Sequence, residues 1–260
     1  MERSTVTGFD TLLYERNGPI ALVTLNRPGV LNAYNLVMRD ELYQVLEAIR
    51  DDPEVQGAVL CGAGDRSFCA GADLTEFGTA PSQAVARQVR WERDVWGLFR
   101  SLDKPLVAAV HGYVLGSGLE MALLCDIRIA AEDAIFGLPE TTLGMIPAAG
   151  GTQTLPRTLG PGPALDLMLT GRRLSAAEAY DMGLITRIVP RHRLLEEAHI
   201  VLEEVLAGDP VATRLAKMAV VRGMDLSLAD GLDLEAHLAL VLLRNRRRVL
   251  PAYTRAETLH

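Results

Sequence analysis

Leu106-Val-Ala-Ala-Val-His-Gly-Tyr-Val-Leu-Gly-Ser-Gly-Leu-Glu-Met-Ala-Leu-Leu-Cys-Asp-Ile-Arg-Ile-Ala130 carries the pattern that decides the fold class. Its first five residues, Leu106 to Val110, form an apolar run of strand length. Gly112, Gly116 and Gly118 then punctuate the chain. From about Ser117 to Cys125 a helix follows, and Ile127 to Ala130 is short and branched enough for the next strand. His111, Gly112, Gly116, Gly118, Glu120 and Asp126 interrupt the apolar character, so the stretch fails as a membrane span and reads as buried strand and helix. Strand, glycine-rich turn, helix and strand in succession argue an α/β fold.

The same alternation extends upstream. Ile20 to Leu25 is a branched apolar run stopped by Asn26-Arg27-Pro28-Gly29, with Thr11 to Glu15 as its hairpin partner across Asn17-Gly18. Asn35 is an N-cap, after which Leu36, Leu42, Val45, Leu46 and Ile49 recur at helical spacing until Asp51-Asp52-Pro53. A strand over Ala58 to Cys61 follows. Gly62-Ala-Gly64 opens a loop to Asp73, and a helix is expected from about Gln83 to Leu102. Downstream of about Leu194 strand signals vanish, and Leu194 to Leu206, Val211 to Met224 and Leu228 to Leu243 read as helices. The expected division is a core over 1–194 and a C-terminal helical region over 195–260.

Bulk properties narrow the function. A chain of 260 residues with 49% hydrophobic and 23% charged residues matches an ordinary globular protein. Its formal net charge of -7 provides no broad positive field, which speaks against nucleic acid as a partner. The three cysteines, Cys61, Cys69 and Cys125, are odd in number and form no C-x-x-C pair, so neither a zinc site nor a disulfide framework is expected. Met1 to Asp10 lacks the apolar segment of a secretory signal. A cytoplasmic location without membrane attachment is the expectation.

Three segments hold chemistry-bearing residues. Ser67-Phe-Cys-Ala-Gly-Ala-Asp73 places small residues where backbone N–H groups can approach a ligand. Val110 to Glu120 leads a strand through a glycine-rich turn into a helix N-terminus, whose free N–H groups attract developing negative charge. Glu140 stands in Phe136-Gly-Leu-Pro-Glu140, ahead of the Gly-rich segment Gly144 to Gly151. Taken singly, Glu120 reads as a charge–dipole contact and Glu140 as a solvated loop residue.

Together and in order, these pieces resemble the enoyl-CoA hydratase/isomerase family, the crotonases. The resemblance rests on Asn26-Arg-Pro28 with Leu31-Asn-Ala33, Phe68-Cys-Ala-Gly-Ala-Asp73, Gly116-Ser-Gly-Leu-Glu120, Pro139-Glu140, Gly144-Met-Ile-Pro147 and Gly150-Gly-Thr-Gln153, and it spans about Tyr14 to Val189. It implies a crotonase-type spiral of repeated ββα units with a C-terminal helical trimerisation region, and assembly as a homotrimer or homohexamer. It also implies an acyl-CoA substrate, with coenzyme A entering as part of that substrate and no separate cofactor or metal, in fatty acid or related acyl metabolism. Glu120 and Glu140 map to the catalytic pair, and the backbone N–H groups of Ala72 and Ser117 to the oxyanion hole. Ser117 departs from the glycine common there, although a main-chain donor survives the change.

The resemblance further assigns Arg27, Arg66, Ala70, Asp73, Leu74 and Gly116 to substrate and CoA binding. Gly29 stands where the family often has lysine, so one phosphate contact is either missing or supplied elsewhere. Acyl specificity maps to Phe77 to Leu102, with Trp91, Trp96 and Phe99 as wall candidates. Tyr253 matches the family's tail aromatic, near an arginine run, Arg244, Arg246, Arg247, Arg248 and Arg255, that reads as a solvated helix end rather than as a phosphate site for a neighbouring subunit. Both glutamates are present, as in hydratases; many isomerases, dehalogenases and hydrolases of the family lack one or replace it. The expected reaction is therefore hydration of a 2-enoyl-CoA, a lyase reaction, with double-bond isomerisation as the rival.

Other classes fit less well. Gly62-Ala-Gly64 and Gly116-Ser-Gly118 each follow a strand, yet the third position of a dinucleotide fingerprint is Ser67 in one and Met121 in the other. Ser117 lacks the G-x-S-x-G spacing of a hydrolase elbow. RNA-binding relatives use a lysine-rich early helix, whereas here Arg39 to Asp52 sets two arginines against Asp40, Glu41, Glu47, Asp51 and Asp52.

Overall fold

The computed structural model describes residues 3–6, 8–77, 82 and 92–249, of which 3–6 and 245–249 are described in backbone only. The chain divides into two compact units, 1–204 and 205–260.

In the first unit, β2 (Leu12–Asn17) and β3 (Ile20–Leu25) form the expected antiparallel hairpin, turning at Gly18 with φ 59°. β4 (Gly57–Gly62), β6 (Leu106–Val110), β8 (Ile127–Ala131) and β11 (Arg187–Val189) continue the sheet in parallel. With β1 (Arg3–Val6) at the other edge, the order is β1-β2-β3-β4-β6-β8-β11. A second sheet runs β10-β9-β7-β5, from Leu174–Ser175, Ile135–Gly137, Tyr113–Leu115 and Ser67–Cys69. Three times in succession a strand of the large sheet (β4, β6, β8) is followed by one of the small sheet (β5, β7, β9). That repetition, with helices between the turns, is the expected spiral of ββα units.

The short strands correct the sequence reading. Gly62 to Asp73, expected as an uninterrupted loop, contains β5, and the glycine-rich turn before Ser117 contains β7. Three residues are too few to display an alternating pattern; they become strands because they pair with one another, β5 to β7 and β7 to β9.

Helix α1 (Leu36–Asp51) begins where expected, with Asn35 Oδ1 accepting the Met38 N–H at 2.9 Å. Its inner face buries Met38, Leu42, Val45, Leu46 and Ile49, each contributing roughly 2 kcal/mol of transfer free energy. Leu36, in the same periodic set, is instead exposed at the first helical position. Of the expected helix Gln83 to Leu102, α2 (Val95–Ser101) is described, while Gln83 to Trp91 lies outside the described residues. Helix α3 (Ser117–Leu124) matches its expected start. Helices α4 (Gly151–Leu159), α5 (Pro161–Thr170) and α6 (Ala176–Asp181) had no separate signal in the sequence reading. α7 (Leu194–Leu206), α8 (Pro210–Gly223) and α9 (Leu228–Val249) are the three C-terminal helices, the last running six residues past Leu243.

The core lies under the large sheet and includes Phe68, Met121, Phe136 and Leu138, all fully buried. Among the described residues no helix is long and apolar enough to cross a membrane, and no cluster of metal-ligating side chains occurs. The three cysteines are free and buried, and burial pushes the Cys61 thiol up to about 11 and Cys69 up to about 12.

Candidate functional site

The small sheet and helix α3 bring the distant motifs together at Gly116. This residue has φ 50° and ψ −126°, a conformation that favours glycine, and a Cβ there would stand 3.0 Å from Glu140 Oε1 and 3.4 Å from the Gly71 Cα. Gly71 and Gly116 thus bring their chains into contact, and each is followed by one of the two expected donors, Ala72 and Ser117. Gly118 serves the same packing, since a Cβ would lie 2.2 Å from the Cys69 carbonyl oxygen. The glycines of this turn accommodate neighbouring protein backbone and side chain, which explains them without a dinucleotide.

The donors are oriented by ordinary backbone pairing. Tyr34 N–H donates to the Gly71 carbonyl at 2.9 Å and Asp73 N–H to the Tyr34 carbonyl at 2.8 Å, the two bonds of a parallel bridge between Tyr34 and Ala72. Those bonds flank Ala72, so its own N–H points away from the Tyr34 strand. Ser117 is the first residue of α3, where the N–H has no partner within the helix.

The two carboxylates flank this turn in different surroundings. Glu120 is 2% exposed, and its Oε1 accepts the N–H groups of Ala149 at 2.9 Å and Gly151 at 2.8 Å. Gly151 opens helix α4, so the carboxylate sits at a helix N-terminus with two charge-assisted bonds. No local pattern gives these donors a role; the only available signal is the Gly150-Gly151 pair ahead of a helix start. Glu140 lies in the 3-10 turn Pro139–Leu143, and its buried Oε2 has no hydrogen-bond partner among the described residues. Burial first, and then the charge of Glu120, push the Glu140 carboxyl up to about 7, against the opposing bond from its own backbone N–H.

The remaining expected binding residues fall into two groups. Arg27 donates through Nη1 to Asp73 Oδ2 at 3.0 Å and to the Ala33 carbonyl at 2.6 Å, and Asp73 also accepts from Thr75. Both side chains therefore brace the Ala72 loop, and the Thr75 and Arg27 contacts hold the Asp73 carboxyl below the usual range. Ala70 N–H is bonded to the Leu31 carbonyl, and Leu74 is exposed. Arg66 is exposed and lines a cavity of about 190 Å³ with Pro28, Leu31, Asn32, Asp65 and Ser67.

Asn32, quoted in the sequence motif without a role, proves central to that wall. It is fully buried with φ 55°, accepts the Arg27 N–H, and donates Nδ2 to the carbonyls of Ala63 and Ser67. Of the segment assigned to acyl specificity, its first residue Phe77 is exposed, Phe99 is buried in the core, and Trp96 meets Tyr34 with ring centroids 5.3 Å apart and planes tilted by 44°. Trp91 and Tyr253 lie outside the described residues.

The family model for enoyl-CoA hydratase/isomerase matches residues 15–250. A crotonyl-CoA hydratase of Syntrophomonas wolfei is 36% identical over 228 residues, 88% of each chain. A short-chain-enoyl-CoA hydratase of Clostridium acetobutylicum is 38% identical over 227 residues, 87% of each chain. Among solved structures, an enoyl-CoA hydratase from Bacillus anthracis superposes with a TM-score of 0.86 at 38% identity, covering 92% of this chain and 93% of that one. With the ββα spiral, the paired glutamates and these matches in hand, the chain belongs to the enoyl-CoA hydratase/isomerase family.

Proposed function

We propose that the protein hydrates a 2-enoyl-CoA to the 3-hydroxyacyl-CoA, with Glu120 and Glu140 as the catalytic pair. The observation that carries this reading is the unequal placement of two carboxyls beside one backbone turn: Glu120 held by two N–H donors, Glu140 poised near neutrality with an unpartnered oxygen. Such a pair serves as base and acid at pH 7.

The thioester carbonyl accepts from the N–H groups of Ala72 and Ser117, each worth ~3 kcal/mol toward the enolate-like transition state. Polarisation makes Cβ electrophilic. Glu120 orients a water molecule, takes one of its protons, and the hydroxyl bonds to Cβ. The electron pair of the double bond returns through the enolate to Cα, which receives a proton from Glu140. Glu120 ends protonated and Glu140 ionised, and proton exchange with solvent resets them. The CoA arm runs along Ala70, Leu74 and Gly116, with Arg66 toward its phosphates and Arg27 and Asp73 holding the loop. This acid–base chemistry uses carboxyls and backbone donors, and coenzyme A is part of the substrate. Isomerisation needs proton removal and return but no water, so the second carboxyl favours hydration.

The test follows loss of conjugated enoyl-thioester absorbance with crotonyl-CoA for wild type, Glu120→Gln and Glu140→Gln. Each substitution should slow hydration by ~10²-fold or more. A wild type inert on short, branched and cyclic enoyl-CoAs would sink the hydratase reading and favour the isomerase, which product analysis would reveal.

A further inference from the structure

Arg66 is presented by a turn that is anchored from outside its own motif. Along Ala63 to Arg66, three of the four carbonyls are held: Ala63 by Asn32 Nδ2 at 2.9 Å, Gly64 by Arg191 Nη2 at 2.8 Å, and Arg66 by the Tyr113 N–H at 3.1 Å. The Arg66 guanidinium itself makes no ion pair among the described residues and faces the cavity beside Pro28 and Asn32. Gly64 has φ +76°, and a Cβ there would stand 2.9 Å from the Pro28 Cβ, so the turn is tight.

Arg191 reaches this turn from 127 residues further along the chain, out of the 3-10 turn Arg191–Arg193 that follows β11. Its other arm, Nη1, is buried without a hydrogen-bond partner among the described residues and lies 3.7 Å from Asp133 Oδ2, an ion pair of opposite charge. On the same turn, His111 is 2% exposed, hydrogen-bonds with the Gly64 backbone, and keeps an unpartnered Nε2. Burial, and secondarily the nearby Arg191 charge, push the His111 imidazole down to about 4, so at neutral pH the ring beside the turn is uncharged. Arg191 also attracts Asp65, which offsets the one acidic group on the cavity wall.

We propose that Arg191, backed by His111, is a positioning residue for substrate binding: it locks the Gly64 turn so that Arg66 meets an anionic phosphate of the CoA nucleotide. The assignment rests on the acyl-CoA reading above. Arg191 touches no substrate; it acts by removing turn conformers in which Arg66 points elsewhere, and preorganisation of that kind appears as affinity. The effect belongs in KM for the CoA thioester, separate from chemistry at Glu120 and Glu140.

Calorimetric binding of CoA and of pantetheine, which lacks the nucleotide, tests this on the full-length wild type, Arg191→Ala and Arg191→Lys. Wild type should bind CoA more tightly than pantetheine. Arg191→Ala should reduce that preference roughly tenfold, with KM for crotonyl-CoA rising by the same factor, and Arg191→Lys should restore part of it. Should the preference survive in Arg191→Ala, or in a poorly folding case in Arg191→Gln, the positioning role is overturned. An equal loss on both ligands overturns it too, as a general defect of the fold. A wild type that does not distinguish CoA from pantetheine overturns the nucleotide reading of the cavity and the proposal with it, whereas CoA preference in a wild type inert as a hydratase separates the two.

Discussion

At the scale of single residues, one side-chain type is placed in two different surroundings. Glu120 meets two N–H donors at the start of α4; Glu140 meets burial and the negative charge of Glu120. A Glu140 that must be protonated to deliver its proton makes kcat/KM fall as pH rises through about 7. A profile level to pH 9 would overturn its role as acid. The same shift bears on stability. Because the folded carboxyl titrates above its ordinary value of 4.5, the stability it contributes is complete below that value and is lost as pH rises through about 7. Glu140→Gln should therefore melt above wild type at pH 8 and close to it at pH 4. Neither property is visible in Pro139-Glu140 as sequence, since both come from groups brought up by α3 and the small sheet.

Among elements, those with enough residues to show a period were legible and the shorter ones were not. β6, α3 and β8 lie within a residue or so of their expected limits because apolar runs and glycine punctuation mark them locally. β5 and β7 depend on each other, and their contact is fixed by α3 lying against Cys69 through Gly118. Gly118→Ala should force that helix off β5: the added Cβ meets backbone at 2.2 Å, which no side-chain rotamer can relieve. We expect a loss of about 1–3 kcal/mol in urea unfolding, together with reduced hydration because Ser117 and Glu120 move with the helix. Gly29→Ala, where a Cβ meets nothing within 4 Å, serves as the control and should stay within about 0.5 kcal/mol of wild type. Equal stability of the two variants would remove the argument that Gly118 is required by close packing.

For the whole molecule, both units leave large apolar side chains exposed, among them Phe77, Ile146 and Leu169 in the first and a set on the C-terminal helices in the second. Val220, Met224, Leu228, Leu232, Leu240 and Leu243 are all more than half exposed on α8, α9 and the turn between them. The homotrimer or homohexamer that the family resemblance implies would cover such residues, and light scattering should then return three or six times the 28.2 kDa chain mass; a monomer at micromolar concentration would overturn that expectation. By itself the sequence determined the α/β alternation, the hairpin, the capped helix α1 and the C-terminal helices, and through the family resemblance it pointed to Glu120 and Glu140. Each of these depends on neighbours a few residues away or on an ordered set of motifs. Only the tertiary structure decided that Ala149 and Gly151 hold Glu120, that Glu140 is pushed toward neutrality, that Arg27 braces Asp73, and that Arg191 reaches Gly64. Those contacts join residues 20 to 127 positions apart, and their strength depends on burial and distance, which no local pattern encodes.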